Sequence, residues 1–249
     1  MRRVRFSFVS VLAVCLLASG ASAAPVSPVG LEIWIGGAYG GSYNQTNLGC
    51  LPGAGETFVC SGTNLVLGDL TLNNWSMTFD VDPVVTGTTA VTNNNLISSQ
   101  QFTLFFTLPT GPIGPSTLSG GSVQGGVTDN TGDGATLSTA GTGTAFYKGL
   151  IDGASNPLRT LYPDVTSYAA GNFLSNNVPN AAFGTPIPSL PSPAVVANIG
   201  IMLDFVLTPG DSASFTSNFV VVAVPEPSTA LTVGFGLIGL AIARRRRSK

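Results

Sequence analysis

The chain of 249 residues contains no histidine. That absence removes Ser-His-Asp and Cys-His nucleophile chemistry, imidazole metal sites and the commonest general base. Ser212 stands in Gly210-Asp211-Ser212, but no imidazole exists to activate it, and no Gly-x-Ser-x-Gly elbow occurs. Any catalysis would rest on carboxylates alone, as in glycoside hydrolysis. Positive charge is nearly absent from the long middle of the chain. Eight of the ten basic residues lie at the two ends, and between Ala24 and Val224 only Lys148 and Arg159 remain. Eleven carboxylates stand against these two cations, a net of −9 that the formal charge of −2 conceals. No basic patch for nucleic acid can be assembled, whereas oxygen ligands for a hard cation are plentiful. Cysteine is scarce as well. Cys15 falls in an N-terminal apolar run, and Cys50 and Cys60 have nine residues between them. Two thiolates without histidine make a poor zinc site, so a disulfide is expected for Cys50 and Cys60 in an oxidising compartment.

What is present is concentrated at the ends. Arg2, Arg3 and Arg5, an apolar run from Phe6 to Ala18, and Ala21-Ser22-Ala23 read as a secretory signal peptide over residues 1–23. At the other end, Val224-Pro225-Glu226-Pro227-Ser228-Thr229 precedes an apolar stretch, Ala230 to Ala243, and then Arg244, Arg245, Arg246 and Arg247 ahead of Ser248-Lys249. Sixteen residues from Ser228 to Ala243 carry no charge. As a helix they span about 24 Å, short of the roughly 30 Å hydrocarbon core, which suits a temporary anchor. The arginines orient such a helix with its end in the cytoplasm. Pro225 and Pro227 disfavour helix before the span and leave Glu226 in an extended, accessible segment. Three segments are therefore expected: signal peptide 1–23, exported domain 24–223, and tail 224–249, the last made of motif 224–229, transmembrane helix 230–243 and basic cluster 244–249.

The tail closely resembles the PEP-CTERM sorting signal of bacterial surface proteins. The resemblance implies recognition of Pro225, Glu226 and Pro227 by an exosortase-type processing enzyme and transient residence in the inner membrane. It further implies delivery to the cell surface or extracellular matrix, a setting generally associated with exopolysaccharide and biofilm.

Between the ends, alternation of period two recurs, the signature of half-buried strands. Trp75, Met77, Phe79 and Val81 form one row; Phe102, Leu104, Phe106 and Leu108 another, with Phe105 on the opposite face. Ile199, Ile201, Leu203, Phe205 and Leu207 form a third row, and Phe215, Ser217, Phe219, Val221 and Ala223 a fourth. Weaker candidates run from Leu31 to Ile35, Thr63 to Leu72, Leu118 to Val127 and Thr144 to Leu150. Turn-forming clusters separate them, and no helical period is sustained. The expectation is an all-β antiparallel sandwich of roughly eight to ten strands. Asn172 to Pro193 holds five prolines, which points to a surface excursion or edge crossover.

Two acidic groups invite chemistry. Asp129 and Asp133 stand four apart before Gly134, but an EF-hand would need Asp or Asn where Thr131 stands and Glu where Ala140 stands. A looser calcium site on Asp129 and Asp133, completed by carbonyls and Asp80 or Asp82, is the remaining option; the alternative is a metal-free Gly-Asp turn. Asp80 and Asp82, either side of Val81, are expected on one strand face. Trp34, Tyr39 and Tyr43 lie among Gly36, Gly37, Gly40 and Gly41, an aromatic-glycine segment suited either to sugar binding or to capping a β core. The body also resembles one recurring type of PEP-CTERM protein, through Phe79-Asp80-Val81-Asp82-Pro83, Thr128-Asp129-Asn130-Thr131-Gly132-Asp133-Gly134-Ala135, Ile151-Asp152-Gly153 and Leu207-Thr208-Pro209-Gly210-Asp211. That type brings no activity with it. The expected protein is a non-enzymatic surface or matrix protein without a cofactor; the alternatives are a carbohydrate-binding adhesin, with calcium as an option, and a carboxylate-only hydrolase.

Overall fold

The computed structural model describes residues 29–54, 57–155, 157–163, 165–224 and 233–237. Sixteen strands among them form two antiparallel sheets. The first sheet has the order β11 (Pro157–Pro163), β10 (Ala145–Ile151), β15 (Asn198–Leu207), β7 (Gln100–Pro109), β1 (Gly30–Ile35), β2 (Ala38–Asn44). There β9 (Ala135–Ser138) pairs with the end of β15, and β12 (Ser167–Ala170) with β9. The second sheet has the order β13 (Ser175–Phe183), β8 (Ile113–Thr128), β16 (Ser212–Ala223), β6 (Val84–Asn93), β5 (Leu70–Asp80), β4 (Thr57–Leu67), β3 (Leu51–Pro52). β14 (Leu190–Val195) pairs with the first half of β8, on a different stretch from β13.

Alternation explains why the sheets pack face to face. Successive side chains point to opposite faces, so each apolar row becomes one wall of a shared core. Phe102, Leu104, Phe106, Leu203 and Phe205 are buried on one wall, and Trp75, Met77, Phe79, Phe215 and Phe219 on the other. Phe205 meets Phe215 across the gap with ring centroids 4.9 Å apart, tilted by 44°. Such a pair contributes about 0.5–1.5 kcal/mol beyond the area it buries. Tyr147 donates its hydroxyl to the carbonyl oxygen of Asn218 at 2.7 Å, and burial pushes its pKa well above 10.0. Gly121 makes room for that hydroxyl, since a Cβ there would lie 2.6 Å from it. Phe105 does face the other way, as expected, and joins Leu150, Met202 and Trp34 in a separate apolar cluster.

Several expectations are corrected. The strands among the described residues number sixteen, not eight to ten, because edge strands need backbone pairing more than an apolar row. β2 (AYGGSYN) and β13 (SNNVPNAAF) bury almost nothing yet pair along their length. The proline-rich stretch 172–193 is largely strand: Pro179 sits in a bulge of β13, between Val178 and Ala181, and Pro191 and Pro193 lie in the edge strand β14. Proline is tolerated at both kinds of position because neither demands its missing N–H. The candidate Thr63 to Leu72 is two strands, reversed at Gly68, whose φ of +53° favours glycine. Val81 leaves the row of Trp75, Met77 and Phe79 for the turn that follows β5.

The expected signal peptide lies outside the described residues. So does most of the expected membrane helix; residues 233–237 are helical, and no described helix is long and apolar enough to cross a membrane.

Candidate functional site

One end of the sandwich is closed by four loops that lock together through carboxylates and amides. Asp129 follows β8, and its buried carboxylate accepts from the backbone N–H of Thr131 (3.0 Å) and Gly132 (2.9 Å) on Oδ1. Oδ2 accepts from Gly134 N–H (3.1 Å) and, from a loop 44 residues away, Phe173 N–H (2.7 Å). The Thr131 hydroxyl adds a fifth donor at 3.2 Å. Gly132 holds φ +88°, and a Cβ there would strike the Phe173 ring, so glycine is required for the two loops to meet. Asp211 lies beside this loop, in the turn Thr208-Pro209-Gly210-Asp211. Proline at the second position and glycine with φ +71° at the third are the residues a type II turn demands. Asp211 accepts from the Thr208 hydroxyl at 2.6 Å and from Asn130 N–H at 3.1 Å. Asn93, fully buried at the end of β6, completes the lock. Its Nδ2 donates to the carbonyls of Leu207 (3.0 Å), Thr208 (3.1 Å) and Ser98 (3.2 Å), and its Oδ1 accepts from Asn95 N–H (3.0 Å).

The electrostatics follow from these partners. Burial works against ionising Asp129, but the N–H donors of Phe173, Gly132, Gly134 and Thr131 outweigh it and hold the carboxyl far below the usual carboxylate range. Asp211 moves the other way: burial raises its pKa, the bonds from Thr208 and Asn130 oppose this, and the nearby charge of Asp129 adds to the rise. Oxygens of Asp129, Asp133 and Asp211 lie within 4.8 Å of one another, an arrangement able to hold a hard cation. Five donors already engage Asp129, which offers about four lone-pair sites, so an ion there would compete with the loop's own backbone. Asp80 and Asp82 take no part. β5 runs from Leu70, beside Asn93, to Asp80, ten residues or about 33 Å away. Nor do the two share a strand face: Asp80 Oδ1 accepts from Asp82 N–H at 3.0 Å and caps the turn.

A third carboxylate does the same work elsewhere. Asp152 holds φ +56° after β10 and accepts from the N–H groups of Val196 (2.9 Å), Ala197 (2.7 Å) and Asn198 (3.2 Å), which pins the loop entering β15. Burial opposes its charged form, and the donors of Ala197, Val196 and Asn198 lower its pKa overall. Asp204 is spent on Lys148 (3.0 Å), Gln101 and Thr103. Cys50 and Cys60 are joined in a disulfide, as expected. In the aromatic-glycine segment, Trp34 and Tyr39 stack edge to face at 5.8 Å across the β1–β2 hairpin, and Tyr39 is 60% exposed.

Sequence reasoning missed Asp211, Asn93 and Asp152 as organisers. Asp152 and Asp211 stood inside the recurring pieces, whereas nothing local marked Asn93.

The sandwich ends where the tail begins. β16, paired on both sides by β8 and β6, runs to Ala223, and Val224 N–H still donates to Ser116 O at 3.0 Å. Residues 223–247 match the family model of the PEP-CTERM protein-sorting motif. That settles the tail. The PEP-CTERM motif implies an exported protein sorted to the cell envelope by an exosortase. It starts at the last residue of β16, so the domain and the motif meet without a linker. Pro225, Glu226, Pro227 and Arg244 to Arg247 fall within the matched span and outside the described residues. No curated protein matches the chain.

Proposed function

We propose that this chain is a non-enzymatic surface or extracellular-matrix protein, associated with exopolysaccharide or biofilm and released from its membrane helix by exosortase processing. One observation carries the reading: the PEP-CTERM motif follows the final strand of an all-β sandwich directly. A structural role is supported by the employment of the acidic groups. Asp129, Asp152 and Asp211 cap loops, and Asp204 pairs with Lys148. The Asp129 end lies at the start of β16 and the tail at its end, eleven steps or about 36 Å apart. Protein anchored by its tail would therefore present this loop end farthest from the attachment point.

The test is mass spectrometry of surface-exposed protein, with a variant lacking residues 224–249 for comparison. Peptides beyond about Thr229 should be missing from the mature form, and the truncated variant should be lost from the surface to the medium or periplasm. Intact Arg244 to Lys249 in surface protein would overturn the processing step.

A second reading, a carbohydrate-binding adhesin, is favoured by the exposed Tyr39, set edge to face on the half-buried Trp34 of an edge hairpin. Glycan-array binding separates it from a purely structural role. Calcium is the weaker part of that reading, because the backbone donors already occupy Asp129.

A further inference from the structure

A cavity of about 300 Å³ lies between the turn 45–49 and strand β4, away from the Asp129 end and away from Trp34 and Tyr39. Its lining includes Asn47, Ser61, Thr63, Asn64 and Trp75, with Leu48 and Leu65 among the apolar members. We propose that this cavity binds one unit of a neutral saccharide. The proposal deepens the carbohydrate-binding reading, on which it rests for the source of the ligand, and assigns it to a different place.

Three observations carry it. The first is an orphaned donor. Trp75 is 4% exposed, and its Nε1–H is buried with no hydrogen-bond partner. Buried donors are almost always satisfied, and a site that leaves one open invites an acceptor oxygen. Gly62 lies against the same ring, where a Cβ would come within 2.7 Å. The indole is thereby set flat on backbone at the cavity wall.

The second is preorganisation. Asn44 Oδ1 accepts from the N–H groups of Thr46 (3.0 Å) and Asn47 (3.1 Å), while Leu48 N–H and Cys50 N–H bond to the carbonyls of Asn44 and Gln45. Leu48 is buried in the core, and Cys50 is bonded to Cys60, the residue before Ser61. One wall of the cavity is therefore tied covalently to the other. Asn64 holds φ +55° at the rim, a conformation uncommon for residues other than glycine.

The third is chemistry. No described lining residue carries a charge, and the hydroxyls and amides offer both donors and acceptors beside one aromatic ring. An anionic or cationic ligand would find no counter-charge among the described lining residues. A neutral sugar carries hydroxyls that both donate and accept, and the amides and hydroxyls of the lining match them. The volume stands at the low end for ligand sites, which fits a single ring rather than an extended chain.

Full-length protein purified in detergent, with Trp34→Phe so that Trp75 is the sole tryptophan, is titrated with glucose, galactose, N-acetylglucosamine and cellobiose, with glucuronate as the charged control. At least one neutral sugar should give a saturable change in Trp75 emission at millimolar concentration. Asn47→Ala, in an exposed turn, should weaken that sugar about tenfold, the loss expected for one hydrogen bond. Trp75→Phe, read by calorimetry in the otherwise native chain, should weaken it to a similar extent. Reduction of Cys50–Cys60, verified by alkylation and by retained β circular dichroism, should weaken it as well. No saturable change with any neutral sugar, tighter binding of glucuronate, or affinity unmoved by Asn47→Ala would each overturn the proposal. Surface location and matrix retention of Asn47→Ala are measured in parallel. Retention with loss of sugar binding defeats the matrix-through-this-site link alone, and loss of surface location defeats the sorting reading instead.

Discussion

Truncating Asn93 to alanine should open the far end of the sandwich. The side chain is wholly buried and reaches from β6 in one sheet to the Leu207–Thr208 carbonyls at the end of β15 in the other. Alanine removes two N–H donors and one acceptor together. The Leu207 carbonyl, bonded in a fully buried contact, loses a partner at a cost of about 1–3 kcal/mol. The Asn95 N–H and the Ser98 and Thr208 carbonyls lie closer to water and lose less, while the small void adds about 1 kcal/mol. A total of about 2–4 kcal/mol follows. Urea unfolding at pH 7 measures it, as a fall in the midpoint at unchanged m value, with coincident fluorescence and circular dichroism as the two-state check. Hydrogen exchange should quicken most at Asn95 and Asp211, whose amides belong to the same lock. Asn93→Asp keeps the acceptor, loses the donors and adds a charge near Asp211, so it should lose more stability at neutral pH than in acid. A loss below about 1 kcal/mol for Asn93→Ala, or faster exchange spread evenly over the sandwich, would refute the clamp.

Acid should destabilise the domain through Asp129 and Asp152. Both have folded pKa values below the unfolded value of about 3.9, so their contribution is full above that pH and is lost as pH falls through the folded values. Asp129→Asn should flatten the acid limb of melting temperature against pH. For Asp211 the sign is opposite: its raised pKa means stability is lost as pH rises past about 4, so Asp211→Asn should gain relative to wild type towards neutral pH. Alkylation without reduction should leave Cys50 and Cys60 unlabelled, and reducing the bond should cost about 2–3 kcal/mol, loosening the domain without unfolding it. Calcium and magnesium at equal ionic strength should raise the melting temperature equally by screening a body at −9; a calcium-specific rise lost in Asp129→Ala would establish an ion at Asp129, Asp133 and Asp211.

Much of the core was legible because the information is local. Side chains alternate along a strand whatever lies beside it, so Phe102, Leu104 and Phe106 were recognisable as one buried row, with Phe105 behind them, before any pairing was known. Edge strands are different: β2 and β13 are held by backbone bonds to a neighbour, which composition does not report. The acidic motifs show the same divide. Asp80, Asp129, Asp152 and Asp211 were visible as recurring pieces with glycine or proline close by. Their shared task, accepting N–H groups to hold a turn, depends on partners such as Phe173 for Asp129 and Ala197 for Asp152, more than forty residues away.

By itself the sequence determined three things: the sorting motif, the all-β class, and the exclusion of histidine chemistry. A sorting enzyme reads a linear segment, strand periodicity is a property of consecutive residues, and a missing residue type stays missing in any fold. Tertiary structure alone decided that Asp211 rather than Asp80 or Asp82 joins Asp129 and Asp133, that Asn93 ties the sheets, and that Trp75 leaves a buried donor open beside the Cys50–Cys60 bond. Those facts depend on which strands become neighbours. Strand neighbours are chosen by the burial of whole apolar faces together, a sum over the chain that no single segment carries.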